Sequence, residues 1–511
     1  MLLDLQVGNL IEPVSGRRWN RSEVLRRADA RTRHFKRAGL AAADRVFIHY
    51  GNRLEFFADL LSIWRLGACA VPVDPRLTPY EIENLARLAA PRLSLVDDTT
   101  DTSTASVMSA MGSEVIDCRS AGDGGENAMP SNPVSFDNDA IILFTSGSTG
   151  GPKGVVHTHR SLRARWNALR ENLGVEAYAR TLCALPTHFG HGLICNSLFP
   201  WLSGSDLFIS EPFNPDLLMR FGKLVDEHKI TALSSVPSFW PLVLKVTRPP
   251  KERTLRRLHC GSAPLSAATW KDIRRWSATE DVLNTYGITE TGSWTAGTNI
   301  DGFVPEDGLI GKPWGATIRI VKTTDPDSAE QSEEECRAGE AGHVWIKTPA
   351  LMKGYYQRDD LTRQSVRDGW LLTGDIGWRD DRGLFYLSGR EHEEINKGGT
   401  KIYPADIDAV VGNFEGTRDV VTFGIDDSLY GQQVAIAIAL DECSDGTVRR
   451  LYQWTKQRLA QHKIPLRWYL LDAIPRSPRG KINRNEVRDR CLKLAPLDLN
   501  KILEISEENV P

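Results

Sequence analysis

Between Arg45 and Tyr286 the chain alternates short apolar, strand-forming runs with segments of helical spacing, and that rhythm restricts the fold more than any other feature. Arg45-Val-Phe-Ile-His-Tyr50 ends at the turn pair Gly51-Asn52, and residues 55–67 then place Phe56, Phe57, Leu60, Leu61, Ile63 and Trp64 at helical intervals. Cys69-Ala-Val-Pro-Val73 predicts the next strand, 79–88 a helix, and Arg92-Leu-Ser-Leu-Val96 a further strand. Thr231-Ala-Leu-Ser-Ser-Val236 and Asp281-Val-Leu-Asn-Thr-Tyr286 continue the series as buried-strand candidates. Strands separated by helices pair through crossovers, so the expectation is an α/β fold with parallel-rich sheets covered by helices.

From about residue 315 the spacing changes. His343-Val-Trp-Ile-Lys347, Gly369-Trp-Leu-Leu372 and Leu384-Phe-Tyr-Leu387 predict short strands of a β-rich subdomain. After Gly389-Arg390 a compact section carries its own strands (Val420-Val-Thr-Phe-Gly424 and Val434-Ala-Ile-Ala-Ile-Ala439) and a helix over 447–461. The expected division is a large N-terminal domain, 1–389, and a small mobile α+β C-terminal domain, 390–511, because 511 residues exceed what one core serves. Residues 120–133 and 323–340 are rich in loop formers and acids and read as solvated surface loops, and the acidic end, 505–511, as frayed.

Net charge of -3 gives no electrostatic footprint for nucleic acid or an anionic membrane. No apolar run approaches the length of a bilayer span, and the N-terminus lacks the basic-then-apolar order of a signal peptide. The eight cysteines are scattered singly, without Cys-x-x-Cys, and read as reduced thiols rather than a disulfide framework or zinc site. A soluble, cytoplasmic, multidomain enzyme is the expectation.

The chemistry starts where the apolar strand Ala140-Ile-Ile-Leu-Phe144 runs into Thr145-Ser-Gly-Ser-Thr-Gly-Gly-Pro-Lys-Gly154 and then helix-compatible residues. Glycines let backbone approach a phosphate, consecutive N–H groups form an anion nest, hydroxyls add donors and Lys153 adds a point charge. A Walker A loop requires Gly-Lys-Ser/Thr, whereas Pro152 precedes Lys153 and Gly154 follows it. A flexible Ser/Gly linker would not sit between a buried strand and Pro-Lys-Gly.

This loop resembles the signature of the adenylate-forming superfamily: acyl-CoA synthetases, peptide-synthetase adenylation domains and luciferases. Further motifs follow in the family's order over about residues 40 to 490. Within the loop, the resemblance implies ATP contacts from Thr145, Ser146, Gly147, Ser148, Thr149, Gly150 and Lys153, with Thr149 and Lys153 catalytic. Tyr286-Gly-Ile-Thr-Glu-Thr-Gly292 resembles the second signature. By that resemblance Tyr286 stacks on adenine with Gly287 beside it, Thr289 holds the α-phosphate, and Glu290 with Thr149 ligates Mg²⁺. Gly261-Ser262-Ala263-Pro264 resembles the segment against adenine and the acyl site. Asp375, in Leu372-Thr-Gly-Asp375, resembles the aspartate that accepts from both ribose hydroxyls, and Arg390 the hinge arginine that also contacts ribose. Glu394-Ile-Asn-Lys-Gly-Gly-Thr-Lys-Ile402 resembles the thioester loop, whose Gly398 and Gly399 admit a pantetheine arm. Lys481, in Pro475-Arg-Ser-Pro-Arg-Gly-Lys-Ile-Asn-Arg484, resembles the lysine that bridges substrate carboxylate and phosphate. One departure is His392, where the family commonly carries Asp or Lys. His392-Glu-Glu also starts like a zinc His-Glu-x-x-His, but position 396 is Asn.

The implied activity is ATP-dependent formation of an acyl-adenylate, then acyl transfer to a thiol as the small domain swings about Arg390. The 394–402 stretch is closer to acyl-CoA synthetases than to peptide-synthetase domains, so coenzyme A is the expected acceptor. The phosphopantetheine of a carrier protein is the alternative. A luciferase-like oxidoreductase shares the quoted motifs, and a non-catalytic nucleotide-binding relative is opposed by intact Lys153, Glu290 and Lys481. No Gly-x-Ser-x-Gly elbow or Gly-x-Gly-x-x-Gly fingerprint is present.

By family position the acid pocket draws on Pro186-Thr-His188-Phe189-Gly-His191-Gly192, on Ser235-Val-Pro-Ser-Phe-Trp240 and on Gly292-Ser-Trp294. No acidic residue lies between Pro186 and Gly204, which disfavours an α-amino acid with its ammonium. His188 and His191 either hold a polar substituent or second carboxylate, or are structural. Trp240 and Trp294 either shorten the pocket or pack in the core.

Overall fold

The apolar runs of the first third pair side by side, as their alternation with helices requires. The computed structural model describes residues 5–120, 134–146, 152–210, 215–299, 303–322, 334–390, 394–475, 482 and 484–504. Gly147, Ser148, Thr149, Gly150, His392 and Lys481 lie outside the described residues, as do most of the two expected loops and the acidic end. Strands Cys69–Pro72, Arg45–His49, Leu93–Val96 and Glu114–Asp117 are parallel neighbours. They form one side of a seven-stranded sheet continued by Asp139–Ser146, Pro152–Thr158 and Gly354–Tyr355. Helix Leu54–Arg65 buries nearly every side chain, because it is enclosed on all sides rather than lying on a surface.

The second sheet has a parallel core of Val282–Ile288, Arg257–Gly261, Ala232–Ser235, Arg180–Cys183 and Asp206–Ile209, with Leu10–Ile11 parallel at its far side. Beyond Val282–Ile288 every pairing is antiparallel, through Ser293–Gly297, Leu309–Pro313, Phe385–Arg390, Trp370–Arg379, Gly342–Lys347 and Thr317–Val321. The β-rich region expected as a separate subdomain is therefore hydrogen-bonded to the parallel sheet through Leu309–Pro313, which gives the sheet edge a partner for its N–H and C=O groups.

Helix-compatible residues after the glycine loop form a strand first. Pro152–Thr158, with its Val155-Val156 pair, takes Gly354–Tyr355 as an antiparallel partner. Helix His159–Leu173 starts only at Thr158, whose hydroxyl accepts from the Ser161 N–H while Ser161 Oγ accepts from the Thr158 N–H.

Two compact units divide the chain: 1–75, 89–144 and 154–391 in the first, and 76–88, 145–153 and 392–511 in the second. In the second, strand Gly431–Leu440 pairs with Thr417–Asp427 and, in parallel, with Arg467–Leu470. Its alternation is legible in the residues: Val434, Ile436, Ile438 and Leu440 enter one core with helix Pro404–Gly412, while Ala435 and Ala437 enter another with Val487 and Cys491. Among the described residues no helix is long and apolar enough to cross a membrane.

Candidate active site

Strand Val282–Ile288 carries Tyr286 into the interior and turns back at once along Ser293–Gly297. The approach leaves no room for a side chain at Gly287, where a Cβ would stand 1.9 Å from the Ser293 carbonyl oxygen. A register shift between Tyr286 and Gly287 accommodates the crowding. Tyr286 is buried, and its hydroxyl donates to Oδ2 of Asp375, itself buried in strand Trp370–Arg379. Asp375 pairs in register with Arg390 across the ladder, and its N–H donates to Thr373 Oγ1 at 3.0 Å.

The turn Thr289–Thr291 is held at both ends by groups with no counterpart in the sequence motif. His157 Nε2 donates to the Thr289 carbonyl at 2.7 Å, since a carbonyl only accepts. Burial pushes this imidazole down to about 4, so it stays neutral. Arg165 is fully buried and spends its guanidinium on carbonyls: Thr291 O at 2.8 and 3.2 Å, Trp314 O at 2.9 Å, and Thr295 Oγ1 at 3.3 Å. Without a carboxylate beside it, burial pushes Arg165 down to about 10. Between these anchors Glu290 accepts from the Tyr355 hydroxyl through Oε1 at 2.7 Å, while its carbonyl accepts from Met352 N–H at 2.7 Å. The second carboxylate oxygen has no partner among the described residues. His157, Arg165 and Tyr355 were not among the expected site residues; only their long-range hydrogen bonds mark them.

On the acid side the segment after Pro186 runs into a π-helical stretch, His191–Leu198, an arrangement frequent at functional sites. His191 is 2% exposed with both nitrogens engaged, Nδ1 with Ser262 Oγ at 2.8 Å and Nε2 with Ser234 Oγ at 2.6 Å. Burial pushes it down to about 3, leaving a neutral ring that braces the loop rather than one with a free nitrogen. Ser262 sits in the left-handed region at φ 67°, a position this serine tolerates with its hydroxyl tied to His191. Gly261 packs so closely on Thr285 that a Cβ would stand 2.3 Å from its hydroxyl. His188 faces Asp74 at 3.5 Å, and Phe189 lies 5.9 Å from the His191 ring.

Trp240 is wholly buried in the core around Leu258 and Trp276, with its indole N–H donated to Ser235 Oγ at 2.9 Å, and Ser235 in turn donates to His259 O. Trp294 is 2% exposed and sandwiched: His259 stacks on it at 4.0 Å and His191 meets it edge-on at 5.3 Å. The expected pocket residues thus fall into an internal group (Ser235, Trp240, His191) and a ring cluster around Trp294.

In the second unit, Thr145 Oγ1 donates to the Lys153 carbonyl at 3.5 Å, closing the base of the glycine loop. Gly398 and Gly399 form the turn between strands Ile395–Lys397 and Thr400–Ile402, at φ 62° and 83°. The Gly398 N–H reaches Tyr430 O and the Gly399 N–H reaches Asn396 Oδ1. Both backbone conformations favour glycine, whatever the turn binds.

A 2-succinylbenzoate–CoA ligase of Bacillus licheniformis is 30% identical over 357 residues, 69% of this chain and 70% of the relative. The long-chain-fatty-acid–CoA ligase FadD13 of Mycobacterium tuberculosis is 28% identical over 478 residues, 90% of each chain. Among solved structures, a double mutant of the o-succinylbenzoate CoA synthetase MenE from Bacillus subtilis, bound to a product analogue, superposes with a TM-score of 0.84. It covers 96% of both chains at 24% identity, a likeness of fold. The family model described as AMP-binding enzyme matches residues 8–356, from the first strand through the Tyr355 that holds Glu290, and the chain belongs to the AMP-binding enzyme family.

Proposed function

We propose that this chain is an AMP-forming acid–CoA ligase. The observation that carries the reading is the buried Asp375 carboxylate joined to Tyr286, beside a rigid turn that presents Thr289 and Glu290. In the first half-reaction a carboxylate oxygen attacks the α-phosphorus of ATP, the bond to the β-phosphate bridging oxygen breaks, and pyrophosphate leaves. Such a transfer asks the protein mainly for position and charge neutralisation. Asp375 and Arg390 hold ribose and Tyr286 stacks on adenine, with Gly261, Ala263 and Gly287 clearing room for the nucleotide. Thr145, Ser146, Gly147, Ser148, Thr149, Gly150 and Lys153 cradle the phosphates, and Thr289 donates to the α-phosphate. Lys481 supplies the cation that stabilises charge on the substrate carboxylate and α-phosphate. In the second half a coenzyme A thiolate attacks the mixed anhydride, forming the thioester and releasing AMP, with Gly398 and Gly399 beside the pantetheine arm.

A magnesium ion fits Glu290. One carboxylate oxygen is occupied by Tyr355 and the other is open, which matches an ion that takes one or two carboxylates and completes its shell with water and phosphate oxygens. When bound there, with Thr149 as a second protein ligand, it neutralises phosphate charge. The eight free thiols, all buried except Cys443, fit a reducing, cytoplasmic setting.

The relatives are named for a dicarboxylic aromatic acid and for long-chain fatty acids, so their names leave the acid of this chain open. The test is incubation with Mg-ATP, coenzyme A and a panel of short, branched, dicarboxylic and aromatic acids, with products followed by mass spectrometry. A CoA thioester plus AMP is the expected result. Acyl-adenylate without thioester would replace coenzyme A by a carrier protein, and no pyrophosphate from any acid would overturn the ligase reading.

A further inference from the structure

Buried polar atoms without partners are rare in folded proteins, because each forfeits its hydrogen bonds with water. Four of them lie on or against the segments where the acid is expected. Thr187 Oγ1, His259 Nδ1 and Trp294 Nε1, on residues 1%, 1% and 2% exposed, have no hydrogen-bond partner among the described residues, and neither has the buried hydroxyl of Ser238. Thr187 lies in the stretch after Pro186, Ser238 between Ser235 and Trp240, and Trp294 directly after Ser293: the three stretches that the family resemblance implies for the acid pocket. His259 joins them by stacking on Trp294 at 4.0 Å.

Two of the four are N–H donors. An indole nitrogen only donates. The Tyr178 hydroxyl meets His259 Nε2 at 2.6 Å and also interacts with the Arg257 guanidinium, which only donates; the hydroxyl hydrogen then goes to Nε2 and the imidazole hydrogen to Nδ1. Both rings are neutral, since burial holds His259 well below the ordinary range. The Arg257 guanidinium is paired with Asp281 at 2.7 Å, and His188 faces Asp74 at 3.5 Å. A second carboxylate on the substrate would find donors but no counter-charge, and a buried anion left so is costly. A neutral oxygen meets the donors without that cost.

We infer that the acid this enzyme activates carries a neutral oxygen acceptor on its tail, a keto, ether or hydroxyl oxygen, bound by the Trp294 indole N–H and the His259 Nδ1–H. The inference rests on the ligase reading above. It is tested by pyrophosphate release from matched trios of acids, aliphatic and monocyclic aromatic, each trio comprising the plain parent, its keto analogue and the corresponding dicarboxylate. Pentanoate, 4-oxopentanoate and glutarate make one trio; 4-ethyl-, 4-acetyl- and 4-carboxybenzoate make another. The expected result is a keto preference of about tenfold to hundredfold in kcat/KM over both companions, the size that an unmade buried hydrogen bond imposes. In Trp294→Phe that ratio falls to within about threefold, because the indole donor is gone. A wild-type preference for the parent or the dicarboxylate overturns the inference while leaving the ligase reading intact, and this ranking needs no variant to fold. A keto preference unchanged in folded Trp294→Phe also overturns it. No pyrophosphate from any acid removes the ligase reading itself, and the inference with it.

Discussion

Asp375 and Tyr286 are 89 residues apart and meet through a hydrogen bond. If the pair holds ribose and adenine, Asp375→Ala weakens AMP binding by about 1.5–3 kcal/mol, tenfold or more, because the ribose hydroxyls lose a charged acceptor. Tyr286→Phe, which keeps the stacking face, costs about 1 kcal/mol or less. Calorimetric titration with AMP measures both, and an Asp375→Ala affinity within twofold of wild type would remove the ribose assignment. Tyr355→Phe removes the hydroxyl that donates to Oε1 of Glu290, leaving that carboxylate without a side-chain hydrogen bond among the described residues. The expected outcome is a several-fold rise in KM for Mg-ATP with the acid KM unchanged, read from initial rates of pyrophosphate release. The signature string displays Thr289 and Glu290, but nothing in it displays the tyrosine that orients the carboxylate, since 65 residues separate the two.

At the level of elements, the Thr289–Thr291 turn is rigid because helix His159–Leu173 and the strand before it clamp both ends. Arg165→Met strands the Thr291 and Trp314 carbonyls without donors. A loss of about 2–4 kcal/mol in unfolding free energy is expected by denaturant titration, with adenylate formation falling further than stability alone explains. Gly261 and Gly287 show the same close approach in backbone. Gly261→Ala sets a methyl against Thr285 backbone and hydroxyl, so expression as folded protein drops sharply, whereas Gly383→Ala has open space around the added carbon and is limited by its positive φ alone. Strand positions were readable from β-branched and apolar runs. The strand Pro152–Thr158 was not, because residues after a glycine loop suit either state and the pairing with Gly354–Tyr355 decides between them.

For the whole molecule, burial pushes six histidines down, His49, His157, His159, His191, His228 and His259, and they titrate against the fold. His157 and His159 are pushed down to about 4 and His191 to about 3, each by burial. Their folded pKa values lie below the unfolded value, so the unfolded chain binds more protons in between. Stability is complete above about pH 6.5 and falls on acidification, by about 1.4 kcal/mol per pH unit for each group, levelling off once the folded pKa is passed. Urea titrations at pH 7.5, 6.0 and 5.0 should show a falling midpoint. His157→Gln, which keeps an N–H for Thr289, should flatten the slope by about one proton.

Local chemistry in the residue order determined the βα alternation, the strand that leads into the glycine-rich stretch, and the strands and helices of the final section. These depend on short-range sterics and periodicity, which a string of neighbours contains. Tertiary structure alone decided the joining of the antiparallel strands to the parallel sheet, the clamp of His157 and Arg165, and the fate of the ambiguous rings. His191 became an internal brace because Ser234 and Ser262, 43 and 71 residues away along the chain, satisfy its nitrogens, while the Trp294 N–H has no partner among the described residues. A side chain's role at that scale is set by which distant group completes its hydrogen bonds, and spacing along the chain carries no record of it.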